Sequence, residues 1–294
     1  MELIRERSAW RSLLEKRRKR GDSIGLVPTM GALHAGHLSL ATAAVERCDF
    51  VAMTIFVNPL QFGDEKDLAA YPRDLGVDLQ TAGDSGVHAV FAPSVGEIYP
   101  FGKPSTMVRP GPLADRLEGI ARPSHFEGVA TVVTKLFALS GASAAFFGEK
   151  DFQQLAIVSR LVDDLDLPIE VVGCPIVREA DGLALSSRNR RLSRAERQAA
   201  TALFRSLETG RLALAHGSDL DTAEKMMMAE LTSEPLVTPS YAVAVEPATL
   251  ERPEGAGRPL RLLVAATIGP VRLIDNVAAE QRGSDPVALD PVAS

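Results

Sequence analysis

The chain has 294 residues, 46 % of them apolar, which is enough to bury a sizeable core in one large or two unequal domains and excludes disorder for most of its length. Acidic residues outnumber basic ones, 38 to 32, so a nucleic-acid partner is not expected. No apolar run approaches the roughly 20 residues that cross a bilayer, and the opening MELIRERSAW has no apolar signal segment, so a soluble cytoplasmic protein with no membrane partner is expected.

The first predicted element is an amphipathic helix with Trp10, Leu13 and Leu14 on its buried side. The basic run at 16–20 falls at its end, where cations suit the dipole, and reads as a solvated terminus closed by Gly21. An apolar strand follows at 24–27; Pro28 ends it and Gly31 supplies a turn. From Leu38 the period changes. Leu38, Ala41, Val45 and Cys48 recur at helical steps, so a helix starting near Ala35 places His34 and His37 together on its first turn. Unpaired N–H groups and the positive end of the dipole point the same way as these imidazoles, which suits a phosphate site. The alternative is that one histidine caps the helix and the other is exposed. Gly31 and Gly36 have the spacing of a P-loop, but no Lys-Ser/Thr follows, and no strand leads into a GxGxxG, so kinase and dehydrogenase readings lack support. Cys48, and Cys174 further on, sit among apolar neighbours and read as buried thiols.

Short apolar strands at 51–57, 89–91, 144–147 and 169–172 continue the alternation with helices, which predicts an α/β fold: a Rossmann-like parallel sheet with helices on both faces. Ligands of such sheets bind beyond the carboxyl ends of the strands, and residues 30–37, 58–62 and 148–151 all follow strands directly. Lys150, after Gly148, is a suitable point charge for phosphate; equally, Glu149-Lys150-Asp151 is a polar turn with Asp151 as N-cap of a helix at 152–162. Ser186, Ser187 and Arg188 cluster donors that suit phosphates, though such loops are often only solvated. After 177 the texture changes to helices at 194–216 and 220–231 and strands at 241–245 and 262–266, a smaller C-terminal α+β domain. Met226, Met227 and Met228 read as core filler. The division expected is therefore 1–176, 177–277 and a disordered tail at 278–294.

Five segments carry a resemblance. His34-Ala35-Gly36-His37 after a strand is similar to the HxGH signature of the nucleotidyltransferase superfamily. Phe56-Val57-Asn58-Pro59-Leu60-Gln61-Phe62, Tyr71-Pro72-Arg73, Phe147-Gly148-Glu149-Lys150-Asp151-Phe152-Gln153-Gln154 and Asp181-Gly182-Leu183-Ala184-Leu185-Ser186-Ser187-Arg188-Asn189 select the pantothenate synthetase family within it. The similarity runs from about residue 27 to 276 with the motifs in order. Its departures are small: Ala35 stands where an acidic residue is frequent, and Cys174 where valine or threonine is usual.

The resemblance implies an ATP-dependent ligase that joins pantoate to β-alanine through a pantoyl adenylate, releasing pyrophosphate and then AMP, with Mg²⁺ required and a homodimer as the assembly. It places ATP on Met30, Gly31, Ala32, Leu33, His34, Ala35, Gly36 and His37, on Gly148, Glu149, Lys150 and Asp151, and on Val177, Leu185, Ser186, Ser187 and Arg188. Within that set it gives His34, His37, Lys150, Ser186, Ser187 and Arg188 catalytic roles, with His37 as the acid and the 186–188 loop as a clamp at the second, lid-like domain. Gln61 and Gln154 would take pantoate, and Gln61 also β-alanine; neutral amides can bind hydroxyls and a carboxylate without lowering its nucleophilicity. Arg122 and His125 would line the same cavity. Asp78 matches the family's acidic position for the metal, with surface salt bridging as its other reading. Two further readings compete: a nucleotidyltransferase that leaves the nucleotide on its product, and a silent nucleotide sensor. The Gln61 and Gln154 segments count against the first, and intact His34, His37, Lys150 and Arg188 against the second.

Overall fold

A computed structural model describes residues 1–63, 68–255 and 257–281, which form two compact units. The first comprises Met1–Ala180 with Ala184–Arg190, and the second Asp181–Leu183 with the described residues from Arg191 onward. The boundary expected at 176/177 thus lies inside the first unit. Leu185 N–H bonds the Val177 carbonyl at 2.9 Å and Arg178 bridges Ala184, so the chain past 177 folds back onto the same unit before leaving it.

The first unit is built on a six-stranded, all-parallel sheet in the order β1-β4-β3-β2-β5-β6. The strands are β1 (Glu2–Ile4), β2 (Ile24–Thr29), β3 (Phe50–Ile55), β4 (Ala89–Phe91), β5 (Ala144–Gly148) and β6 (Glu170–Cys174). Both faces are apolar because successive side chains alternate between two cores. Ile24, Leu26, Phe50 and Ala52 join one core, with Trp10 and Leu14 of α1 (Arg7–Lys19) and Val129, Val133 and Leu136 of a later helix. Val27, Val51 and Met53 join the other, with Leu40, Ala41 and Ala44 of α2 (Ala35–Arg47) and Ala82 of α3 (Leu75–Asp84). The later helix is α4 (His125–Ser140), and α5 (Phe152–Asp164) follows β5.

Two expectations for this unit change, and one strand is added to those expected. Pro28 lies within β2 rather than ending it. The β2 backbone bonds toward β5 at even positions, as the Ile24 carbonyl to Ser143 N–H shows, and pairing with β5 stops at Leu26; the missing N–H of Pro28 therefore costs no ladder bond. The edge strand β1 is three residues long and gives no period in the sequence. The basic run after Glu15 is not only solvated: Arg17 stacks over the Phe50 ring at 4.4 Å and Arg18 donates to the Ser140 carbonyl.

The second unit packs α6 (Ala202–Ala215) and α7 (Leu220–Thr232) on an antiparallel sheet, β7 (Val237–Val245), β8 (Pro259–Ile268) and β9 (Val271–Glu280), in the order β7-β8-β9. The helix expected over 194–216 is interrupted after Arg194–Ala199, where the Thr201 hydroxyl takes the Gln198 carbonyl at 2.8 Å. Met227 is fully buried and Met228 packs on the core, whereas Met226 is exposed. The chain is still strand at 278, where the tail is expected to begin. Ala278, Ala279 and Glu280 are strand residues paired with Arg261, Leu260 and Pro259, and Ala279 is buried. Residues 282–294 lie outside those described.

Candidate active site

In the chain, β2 is followed by β3 and β4 on one side and then by β5 on its other side, so the strand order reverses at β2. The loops after β2 and β5 diverge there and open the crevice that parallel sheets use for ligands. The β2 loop carries residues 30–37, and the β5 loop is the 3₁₀ turn Glu149–Asp151 after Gly148. The 3₁₀ turn Pro59–Gln61 follows β3 one strand away.

The β2 loop turns through two left-handed residues, Gly31 (φ 81°) and Ala32 (φ 51°). Asp78 holds it: one carboxylate oxygen accepts from Ala32 N–H at 3.0 Å and the other from Leu33 N–H at 2.8 Å, while the Thr29 hydroxyl accepts from Gly31 N–H at 3.2 Å. A Cβ at Gly31 would lie 2.7 Å from an Asp78 oxygen, so glycine is required for this approach. Asp78 is 3 % exposed. That overturns surface salt bridging, and the metal reading meets a carboxylate whose two oxygens are both already bonded.

The helix start reconciles the two readings of the histidines, because both cap it. His34 is the N-cap, and its Nδ1 accepts from Gly36 N–H at 3.1 Å; His37 Nδ1 reaches back to accept from His34 N–H at 3.3 Å. The rings lie 4.1 Å apart. A ring nitrogen that accepts carries no hydrogen, so each neutral ring has its proton on Nε2. Burial, then the Lys150 charge, lowers His34 to about 4; burial, then His34 itself, lowers His37 to about 3. Both are neutral donors at pH 7.

Lys150 Nζ stands 3.5 Å from Asp151. Enclosure in the crevice pushes the Asp151 carboxyl up, but the Lys150 and Arg188 cations outweigh it and hold it below the ordinary range. The arginine of the 186–188 loop is thereby brought to the β5 loop. Ser186 Oγ accepts from Arg188 N–H at 3.3 Å, and Ser187 bonds the Tyr71 hydroxyl, which is half-buried and raised above its ordinary pKa by desolvation. Val177 and Leu185 are joined by their backbones as described above.

Gln61 is 8 % exposed. Its backbone carbonyl accepts from His125 Nδ1 at 2.8 Å, and His125 Nε2 in turn accepts from Arg122 at 3.1 Å. Burial, then Arg122, lowers His125 to about 4. Arg122 and His125 thus act on Gln61 rather than simply lining a cavity. Gln154 is half-buried at the start of α5. Its neighbour Gln153, to which the sequence reading gave no role, is buried and braces the 113–118 segment: it accepts from Glu118 N–H at 3.0 Å and donates to the Leu113 and Arg116 carbonyls at 2.8 Å each.

Three histidines held neutral make stability pH-dependent. Their folded pKa values lie below the ordinary 6.5, so the unfolded chain binds more protons as the pH falls below 6.5. The stabilisation is complete above that value and is lost on descent toward about 4 for His34 and His125 and toward about 3 for His37. The urea midpoint is expected to be flat from pH 7 to 8 and lower at pH 5; a midpoint unchanged at pH 5 would contradict the neutral assignment.

A parallel sheet with a doubly capped His-x-Gly-His helix start at its reversal point, and a lysine on the opposing loop, is an arrangement suited to a phosphate-bearing ligand. The Pantoate-beta-alanine ligase family model matches residues 2–278, and the chain belongs to that family. It is 49 % identical over 279 residues to the pantothenate synthetase of Ruegeria sp. (strain TM1040), covering 94 % of this chain and 98 % of the relative, and 51 % identical over 258 residues to that of Salinispora arenicola, covering 88 % and 91 %. Among solved structures it is similar to the pantothenate synthetase of Thermus thermophilus (44 % identity, TM-score 0.88, 94 % and 99 % covered). It is also similar to the pantoate-beta-alanine ligase of Francisella tularensis complexed with beta-gamma ATP and beta-alanine (33 % identity, TM-score 0.78, 94 % and 97 % covered). The chain is accordingly an ATP-dependent ligase of pantoate and β-alanine.

Proposed function

We propose that this ligase works in two steps through a pantoyl adenylate. In the first, the pantoate carboxylate attacks the α-phosphorus of ATP; an O–P bond forms, the bond to the β-phosphate oxygen breaks, and pyrophosphate leaves with the electron pair. In the second, the β-alanine amine attacks the acyl carbon, the amide forms, and AMP leaves. Both partners of the first step are anionic, so the site must hold them in line and offset charge on the phosphate oxygens as it develops.

The observation that carries this reading is the reciprocal cap, which leaves the Nε2–H groups of His34 and His37 at the positive end of α2. Its lowered pKa makes His37 a neutral hydrogen-bond donor toward the phosphate oxygens rather than a charged acid. Lys150 and Arg188 add charge to the triphosphate, Ser186 and Ser187 add hydroxyl donors, and the backbones of Met30–Gly36, Gly148–Asp151, Val177 and Leu185 enclose the nucleotide. Gln61 and Gln154 take pantoate, and Gln61 also takes β-alanine.

Mg²⁺ accompanies the triphosphate, but the protein residues do not form a cage for it. Among the described residues no group of three or more His, Cys, Asp or Glu could hold a metal ion, and Asp78 is committed to the backbone. We therefore assign Asp78 to holding the β2 loop. Asp78→Asn would set an amide N–H against one of two backbone donors. It is expected to raise KM for ATP about tenfold, on the scale of one lost charged hydrogen bond and one unsatisfied donor, with the Mg²⁺ half-saturation unchanged. A shift in that half-saturation alone would return Asp78 to the metal.

Homodimerisation belongs to the same reading and is tested by sedimentation. So does the cytoplasm, which supplies ATP and suits two free thiols. Among the described residues, no helix is long and apolar enough to cross a membrane. The decisive experiment incubates the protein with ATP, Mg²⁺ and pantoate, with and without β-alanine, and follows products by mass spectrometry. Pyrophosphate release that needs pantoate, with pantothenate and AMP appearing only in the complete mixture, supports the two-step reading. AMP formation without pantoate would refute it.

A further inference from the structure

Gln61 sits at the end of a hydrogen-bonded relay that starts at Tyr99, 38 residues further along the chain. Asn58, 1 % exposed, is the middle of it. Its Oδ1 accepts from the Tyr99 hydroxyl at 2.8 Å and from Leu60 N–H at 3.3 Å; its Nδ2 donates to the Gly128 carbonyl and to Gln61 Oε1, each at 3.1 Å. Leu60 N–H and the Gly128 carbonyl are backbone groups that cannot exchange roles, so the Asn58 amide has one permitted orientation. That orientation fixes Gln61 in turn. With Oε1 occupied by Asn58, Gln61 Nε2 is left facing Met30 Sδ at 3.1 Å, a weak acceptor at the start of the ATP loop. A buried amide donor whose partner among the described residues is a thioether is poised for an oxygen ligand.

We infer that Tyr99 is a positioning residue for the ligase: through Asn58 it sets the Gln61 side chain so that its Nε2–H, and not its carbonyl oxygen, meets the pantoate oxygens. Tyr99 is suited to the task. The residue is 5 % exposed, its ring packs beside Phe56 with centroids 6.2 Å apart, and Lys135 Nζ lies 5.7 Å from its ring centre. Burial holds the phenol above its ordinary pKa, so it stays a donor. The relay selects for substrate chemistry. A ligand group placed there must accept, as a carboxylate or hydroxyl oxygen does; an ammonium would face a second donor.

This inference rests on Gln61 contacting pantoate, as proposed above, and a double-mutant cycle separates the two claims. Tyr99→Phe removes only the hydroxyl. It is expected to lower kcat/KM for pantoate about five- to tenfold, the scale of one buried hydrogen bond, with KM for ATP unchanged; a general loosening of the unit would move both. Made on Gln61→Ala, the same change is expected to cost nothing further. Equal costs on both backgrounds, or no cost on the wild type, would overturn the relay. A Gln61→Ala enzyme with wild-type pantoate kinetics would instead remove the role of Gln61 itself. If Tyr99→Phe does not fold, Asn58→Asp serves: it keeps an acceptor for Tyr99 but sets an oxygen against Gln61 Oε1, and the same selective loss for pantoate is expected. Unchanged pantoate kinetics in that variant would overturn the relay as well.

Discussion

His37→Ala is expected to slow single-turnover adenylation by about a hundredfold or more, the scale of losing a positioned donor to developing phosphate charge. Two functions leave with the ring. Its Nε2–H no longer reaches the phosphate oxygens, and the His34 N–H that its Nδ1 capped at 3.3 Å is left to water. The first loss is felt in the transition state, where charge on the departing pyrophosphate is greatest, so the equilibrium Kd for ATP should change far less, by under about fivefold. Quench-flow adenylation together with ATP titration separates the two. Near-wild-type adenylation would remove His37 from the chemistry, and equal losses in rate and ATP binding would make it a ground-state contact only. Since burial keeps the ring neutral down to about pH 3, kcat/KM for the wild type should show no step from His37 between pH 5 and 8.

The part of this site legible in the sequence is the part made by local contacts. The shift from a strand run to helical spacing after Gly31 predicts where α2 begins, and the three-residue interval puts both histidines on its first turn. Which nitrogens they present was not legible, because that depends on backbone bonds made only once the turn has formed. The remaining groups act across the chain. Asp78 meets the β2 loop 45 and 46 residues away, Tyr99 meets Asn58 41 residues away, and the carbonyl of Gly128 meets Asn58 at a separation of 70. No periodicity encodes such pairs. The adjacent glutamines make the same point: an amide pair at the start of α5 looks alike in sequence, yet Gln153 is spent on three backbone groups. In the fold, β9 is not legible because polar Asp275 and Asn276 occupy buried positions where an apolar alternation would place hydrophobic side chains.

Gly128→Ala is expected to have the largest effect of any single added carbon atom in the pantoate region. Gly128 lies in the first turn of α4, pressed on the Pro59–Gln61 turn; a Cβ there would stand 2.4 Å from the Leu60 carbonyl oxygen, 2.5 Å from its carbon and 2.7 Å from Gln61 N. These are backbone atoms, held in place by Asn58 to the Gly128 carbonyl and by His125 to the Gln61 carbonyl. No side-chain rotation relieves the clash, so α4 and the turn must separate. Alanine favours a helix over glycine by about 1 kcal/mol, and overpacking costs about 1–3 kcal/mol, so the net loss of stability is modest, about 0–2 kcal/mol. Function should suffer more. Displacing Gln61 by about 1 Å is enough to cost about a hundredfold in pantoate kcat/KM, and the Asn58 bonds that orient its amide would be stretched in the same movement. Gly96→Ala, whose Cβ would meet only Ser94 Oγ at 3.8 Å, is the control and should behave as wild type. Urea denaturation and steady-state kinetics on both variants decide it: wild-type pantoate kinetics in Gly128→Ala would mean that the turn tolerates the shift and that the position of Gln61 is not what limits the enzyme.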